Sequence, residues 1–105
     1  MARGFLGGKG YRVLGQNIRS PFGEIDLVCA DGRELVIVEV KTRRSTTYGY
    51  PEGSVTRAKQ KTLRQLAEWY WKWHQEYKNV RVDVVSILAD PCGGDVEITH
   101  HQAAV

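Results

Sequence analysis

Two segments rich in Val, Ile and Leu, Gly23 to Ala30 and Glu34 to Thr42, meet across Asp31-Gly32-Arg33. This pairing constrains the chain more than any other feature. Branched apolar residues favour strands, and Asp-Gly favours a tight reversal, so an antiparallel hairpin is expected. A two-residue turn at Gly32 and Arg33 sets Asp26 opposite Glu39 and Glu24 opposite Lys41. Moving the turn back to Asp31-Gly32 preserves the parity, so Glu24, Asp26, Glu39 and Lys41 still share a face. A three-residue loop with a bulge would alter this. Ile25, Leu27, Val36, Val38 and Val40 fill the other face, and their burial pins the register.

The rest of the chain supplies the partners such a hairpin needs. Ala2 to Lys9 reads as a weak helical stub, because Gly4, Gly7 and Gly8 each cost about 1 kcal/mol relative to Ala. Tyr11 to Ile18 carries a strand alternation, and Asn17 to Phe22, with Ser20-Pro21, reads as a turn. Ser45 to Gly53 reads as a loop, after which Ser54 is placed to cap a helix from about Val55 to Tyr77. Leu63, Leu66, Ala67, Tyr70, Trp73 and Tyr77 give that helix its apolar stripe. Val80 to Ala89 is apolar nearly throughout after Asp83, as suits a strand buried on both faces beside a parallel neighbour. Asp90 to Gly94 is a turn and Val96 to Thr99 a short last strand. The order is helix, three strands, helix, two strands, which predicts an α/β fold with a mixed sheet of about five strands and helices on its faces.

At 105 residues, 42% of them hydrophobic, the chain suits one domain with one core. Cys29 and Cys92 are the only cysteines and neither has zinc-site or redox spacing, so a reduced cytoplasmic protein is expected. No apolar run approaches the roughly 20 residues of a membrane span. The formal net charge of +3 permits a phosphate-rich partner without establishing one. Arg43, Arg44, Arg57, Lys59, Lys61 and Arg64 concentrate positive charge just after the hairpin, as a solvated face or a phosphate-binding surface.

Opposed carboxylates repel, and each raises the cost of ionising the other unless a cation lies between them. A hairpin that gathers Asp26, Glu39 and Lys41 therefore suggests a divalent metal. Asp26 and Glu39 would ligate Mg²⁺ or Mn²⁺, the Val40 carbonyl would add a third oxygen, and water would complete the octahedron. Lys41 would orient the attacking water or neutralise developing charge on a phosphate. The competing reading is an outward hairpin face carrying charge for solubility, with Glu24 and Lys41 merely paired.

Gly23-Glu24-Ile25-Asp26-Leu27, Val38-Glu39-Val40-Lys41-Thr42-Arg43, Val55 to Gln60, and Arg81-Val82-Asp83-Val84-Val85 together resemble the YraN family of small bacterial proteins. The resemblance runs from about Ala2 to Ala103. It implies a restriction-endonuclease-like three-layer sandwich similar to archaeal Holliday-junction resolvases, in which Asp followed by Glu-x-Lys binds metal and cleaves phosphodiesters. Carried to this chain, it implies Asp26 and Glu39 as metal ligands, Lys41 as the catalytic lysine, and Lys59 or Gln60 as an auxiliary polar group. Glu24 is a further auxiliary candidate, and Arg43, Arg44, Arg57 and Lys61 are candidates for contacting nucleic acid. The family pattern also has a Glu in the first helix three residues ahead of Ala2, so that helix is expected to be cut short at its N-terminus.

Trp69, Tyr70, Trp71 and Trp73 cannot share one stripe, so at least one ring is expected at the surface. Core packing or a helix partner is favoured over stacking on bases. His74, His100 and His101 lack ligand spacing and are expected at the surface, whereas Arg81 and Asp83 suggest a buried ion pair supporting the hairpin. The leading expectation is a metal-dependent endonuclease acting on structured DNA. The alternatives are a nucleic-acid-binding module without cleavage and a homodimeric adaptor built on the Trp-rich helix.

Overall fold

A computed structural model describes residues 1–43, 56–89 and 96–105. Its elements, in order, are α1 (Ala2–Gly8), β1 (Arg12–Ser20), β2 (Gly23–Asp31), β3 (Glu34–Arg43), α2 (Arg57–Lys72), β4 (Asn79–Ala89) and β5 (Val96–His101). The five strands form one sheet in the order β1-β2-β3-β4-β5. All pairs are antiparallel except β3 with β4, the pair joined through α2. Strand side chains alternate between faces, so the sheet buries two separate apolar layers. Leu27, Cys29, Val36, Val38, Val85 and Ile87 pack against Ala2 and Leu6 of α1. Val28, Leu35, Ile37, Val80 and Val82 pack against Leu63, Leu66 and Ala67 of α2. Each fully buried Leu or Ile in these layers contributes about 1.5–3 kcal/mol. The result is the expected three-layer α/β sandwich of restriction-endonuclease-like type, with helices on both faces. No helix among the described residues is long and apolar enough to cross a membrane.

The β2–β3 hairpin has the expected register, running from Asp31 opposite Glu34 to Leu27 opposite Val38. The expected alternation fails at one point. Ile25 packs in the α2 layer while Leu27 packs in the α1 layer. Beyond Leu27 only β1 remains paired with β2, and two-stranded ribbons twist more strongly than wide sheets. Asn17, between the residues opposite Ile25 and Leu27, has φ 53, a left-handed conformation that Asn tolerates. The ribbon thereby turns Ile18 and Ile25 onto α2.

Three boundaries differ from expectation for identifiable reasons. The segment Asn17 to Phe22 is mostly strand, and the reversal is confined to Pro21 and Phe22. The Ser20 hydroxyl accepts from the Phe22 N–H at 3.0 Å and donates to the Gly23 carbonyl at 2.8 Å, while Gly23 takes φ 136. The helix cap is Thr56, whose hydroxyl accepts from the Lys59 N–H at 3.1 Å. Ser54, the Ser45 to Gly53 loop and the Asp90 to Gly94 turn lie outside the described residues. At its other end α2 stops at Lys72, and Trp73 is 69% exposed rather than part of the apolar stripe. There the chain must turn to enter β4. The Trp71 indole N–H donates to the Tyr77 carbonyl at 2.9 Å, and the Lys78 N–H donates to the Arg33 carbonyl at 3.0 Å.

Arg81 joins the expected buried ion pair with Asp83, at 3.0 Å, and reaches further. Its guanidinium also meets Asp31 at 3.1 Å and Glu34 at 2.9 Å, the residues flanking the hairpin turn, and donates to the Tyr11 hydroxyl. His100 is not at the surface. Strand β5 extends past Thr99, and this carries the His100 side chain, 2% exposed, to within 2.7 Å of Asp83 Oδ2. Its Nδ1 lies 2.7 Å from Lys9 Nζ. An ammonium only donates, so Nδ1 accepts and Nε2–H donates to Asp83. His74 is half-buried and stacks on Tyr70 with ring centroids 4.2 Å apart. Cys29 is buried, and burial, with Asp83 nearby, pushes its thiol up to about 11.

Candidate functional site

Strand alternation puts Glu39 and Lys41 on the α2 face of β3, because Val36, Val38 and Val40 pack on the α1 face. Asp26 lies where β2 leaves β3. The next pairs in that register, the expected Asp26 with Glu39 and then Ile25 with Val40, do not form, because the β2–β3 ladder ends at Leu27 and Val38. Instead the Val40 N–H donates to Asp26 Oδ2 at 2.8 Å. A side-chain oxygen has taken the place of a backbone acceptor, which satisfies a donor that would otherwise be orphaned. In an extended strand the N–H and C=O of a residue point to the same side. The Val40 carbonyl is therefore directed at the gap that β2 vacates.

Asp26 and Glu39 lie near enough for the Asp26 charge to act on the Glu39 carboxyl. Burial pushes the Glu39 carboxyl above its ordinary range; a hydrogen bond from Lys59 opposes the shift, and the Asp26 charge adds to it. Lys59, one turn into α2, places its ammonium 3.1 Å from Glu39 Oε2. Its neighbour Gln60 is half-buried on the same turn, its backbone N–H donating to the Thr56 carbonyl at 2.8 Å.

Other sequence candidates occupy less central positions. Lys41 is half-buried and has no ion-pair partner among the described residues. Glu24 is exposed opposite Arg19 in the two-stranded ribbon, beyond the bend that redirects Ile25, and does not join Asp26 and Glu39. Arg57 and Lys61 are exposed, each two residues from Lys59 and so about 200° around the helix from it. They project away from the carboxylates. The Arg43 backbone ends β3, and Arg44 lies outside the described residues.

Ser86 was not singled out from the sequence. It lies beside Lys41 in the β3–β4 register and beside Thr99 in β5, is 3% exposed, and its hydroxyl has no hydrogen-bond partner among the described residues. An unsatisfied buried hydroxyl costs about 1–3 kcal/mol. The signal was present as a lone hydroxyl within Val84-Val85-Ser86-Ile87-Leu88.

Among the described residues, no three His, Cys, Asp or Glu side chains are grouped to hold a metal ion. The donor set is two carboxylates and the Val40 carbonyl. That sparse set fits Mg²⁺ or Mn²⁺, which commonly bind through one or two carboxylates with water and substrate phosphate completing the shell.

A profile of the uncharacterised protein family UPF0102 matches residues 1–87. A UPF0102 protein of Thermodesulfovibrio yellowstonii is 45% identical over 87 residues, covering 83% of this chain and 78% of the relative. One from Symbiobacterium thermophilum is 47% identical over 90 residues, covering 85% and 76%, respectively. Another, from Syntrophotalea carbinolica, is 37% identical over 105 residues, covering 99% and 84%. The chain therefore belongs to the uncharacterised protein family UPF0102, the YraN family.

Proposed function

We propose that this domain is a metal-dependent endonuclease that hydrolyses phosphodiesters in structured DNA. The observation that carries the reading is the meeting of Asp26 and Glu39 at the mouth of the β2–β3 gap, with Lys59 on Glu39 and Lys41 two residues along the same strand face. Asp26 and Glu39 would hold Mg²⁺ or Mn²⁺ through carboxylate oxygens, and Val40 would add its carbonyl. When bound, the ion supplies positive charge that offsets the two carboxylates, polarises a phosphate ester and lowers the pKa of a water. Lys41 orients that water and offsets charge developing on the phosphate. Arg57 and Lys61, outside the centre, hold backbone phosphates away from the one being cleaved, an attraction that weakens as salt rises.

Nicking of duplex, flap and four-way-junction DNA in Mg²⁺ and Mn²⁺ tests this reading, with Asp26→Asn and Glu39→Gln as controls. Cleavage by the wild type that both variants lose is the expected result; equal cleavage by all three contradicts it. A second reading is a nucleic-acid-binding domain without hydrolysis. It is favoured by the lack of a third grouped acidic or imidazole ligand among the described residues. Binding that survives chelation, with no cleavage, is its signature.

A further inference from the structure

Neighbouring carboxylates favour a nearby cation, and here that cation is a side chain. Lys59 Nζ lies 3.1 Å from Glu39 Oε2, and the Glu39 side chain is only 14% exposed. A divalent ion seated on the same carboxylate would meet an ammonium of like charge at close range, and repulsion between them would be strong in such a partly buried setting. Both cannot be held there well. The means of exchange is visible: the Lys59 backbone is fixed by the Thr56 cap, whereas its side chain is 41% exposed and has solvent to move into.

We propose that Lys59 is a resident placeholder for the divalent ion. It balances the Asp26–Glu39 pair when no ion is bound and releases Glu39 when one enters, leaving its ammonium at the rim of the site to meet an incoming phosphate. Lys59 is thus a positioning residue whose partner changes with the state of the site. The inference rests on the metal-binding reading of Asp26 and Glu39. It adds that ion binding works against an existing ion pair, so the measured affinity of the wild type is lower than the carboxylates alone would give.

The test is calorimetric titration of the whole chain with MnCl₂, comparing wild type, Lys59→Gln and Lys72→Gln. Lys72 carries the same charge in the last turn of α2 and reports the general effect of removing a positive charge. Lys59→Gln should bind Mn²⁺ about tenfold more tightly, as expected when a competing ion pair is lost, while Lys72→Gln stays within about twofold of wild type. A second readout is the Lys59 side-chain ¹⁵N resonance, which should move when Mg²⁺ is added to the wild type but not to Glu39→Gln. Equal Mn²⁺ affinity in wild type and Lys59→Gln, with an unmoved resonance, overturns the placeholder and leaves the metal reading standing. An equal gain in Lys72→Gln also overturns it, as a mere charge effect. No Mn²⁺ uptake by either wild type or Lys59→Gln overturns both.

Discussion

Asp26 Oδ2 accepts the Val40 N–H at 2.8 Å where β2 parts from β3. The carboxylate thereby closes the open end of the hairpin ladder while facing Glu39. Its structural and chemical roles fall on different chemistry, which makes them separable by substitution.

Asp26→Ala leaves the Val40 N–H without its acceptor and should cost about 1–3 kcal/mol. Asp26→Asn keeps a carbonyl oxygen for that bond but removes the charge, so it should lose less than about 1 kcal/mol while losing Mn²⁺ binding. Urea titration and calorimetry measure the two effects. Similar instability in both variants would show that the charge, not the hydrogen bond, holds the ladder end.

Glu39 should make stability depend on pH. Its carboxyl titrates above its ordinary value of 4.5 in the fold, first because of burial, and returns to the ordinary value on unfolding. The folded chain therefore takes up this proton more readily. Glu39 contributes stability that is fully present below about 4.5 and is lost as pH rises through the higher folded value. Glu39→Gln should remove that dependence and be more stable than wild type at pH about 7, a trade of stability for function. Urea midpoints across this window check the prediction, and an unchanged pH profile in the variant would refute it.

Asp83 is fully buried between Arg81 and His100. Asp83→Ala leaves Arg81 paired with Asp31 and Glu34 but takes the acceptor from His100 Nε2–H and from the Ala103 N–H. The expected loss is about 1–3 kcal/mol for each donor left unpaired. Because this network lies on the α1 face, the variant's folded fraction should bind Mn²⁺ as the wild type does. A changed affinity would show that the two faces are coupled.

Ser86→Ala removes a buried hydroxyl that has no partner among the described residues, and should be neutral or stabilise the fold by up to about 1 kcal/mol. A loss above about 1 kcal/mol would mean that the hydroxyl is bonded in solution, with Lys41 and Thr99 its neighbours in the strand register.

Much of this fold is legible in the chain because its signals are local. Asp31-Gly32-Arg33 sets the hairpin register, and the Val-rich segments and Leu63, Leu66 and Ala67 mark the buried faces. That register carries Asp26 and Glu39 toward each other, but the ladder ends at Leu27 and Val38, so their final placement depends on how β2 leaves β3. The displaced Ile25, the exposed Trp73 and the buried His100 were not legible in the same way. Ile25 depends on where β2 loses β3 as a neighbour, Trp73 on where α2 must end for β4 to begin beside β3, and His100 on the pairing of β5 with β4. Each is set by contacts distant in sequence, which no window of neighbouring residues contains.

A divalent cation shared by Asp26 and Glu39 should be visible in anomalous diffraction at the manganese edge from crystals grown with MnCl₂. The expected peak lies between the two carboxylates, within coordination distance of an oxygen from each, with Lys59 withdrawn from Glu39. No peak there, with Lys59 still on Glu39 under saturating Mn²⁺, would rule out the shared cation.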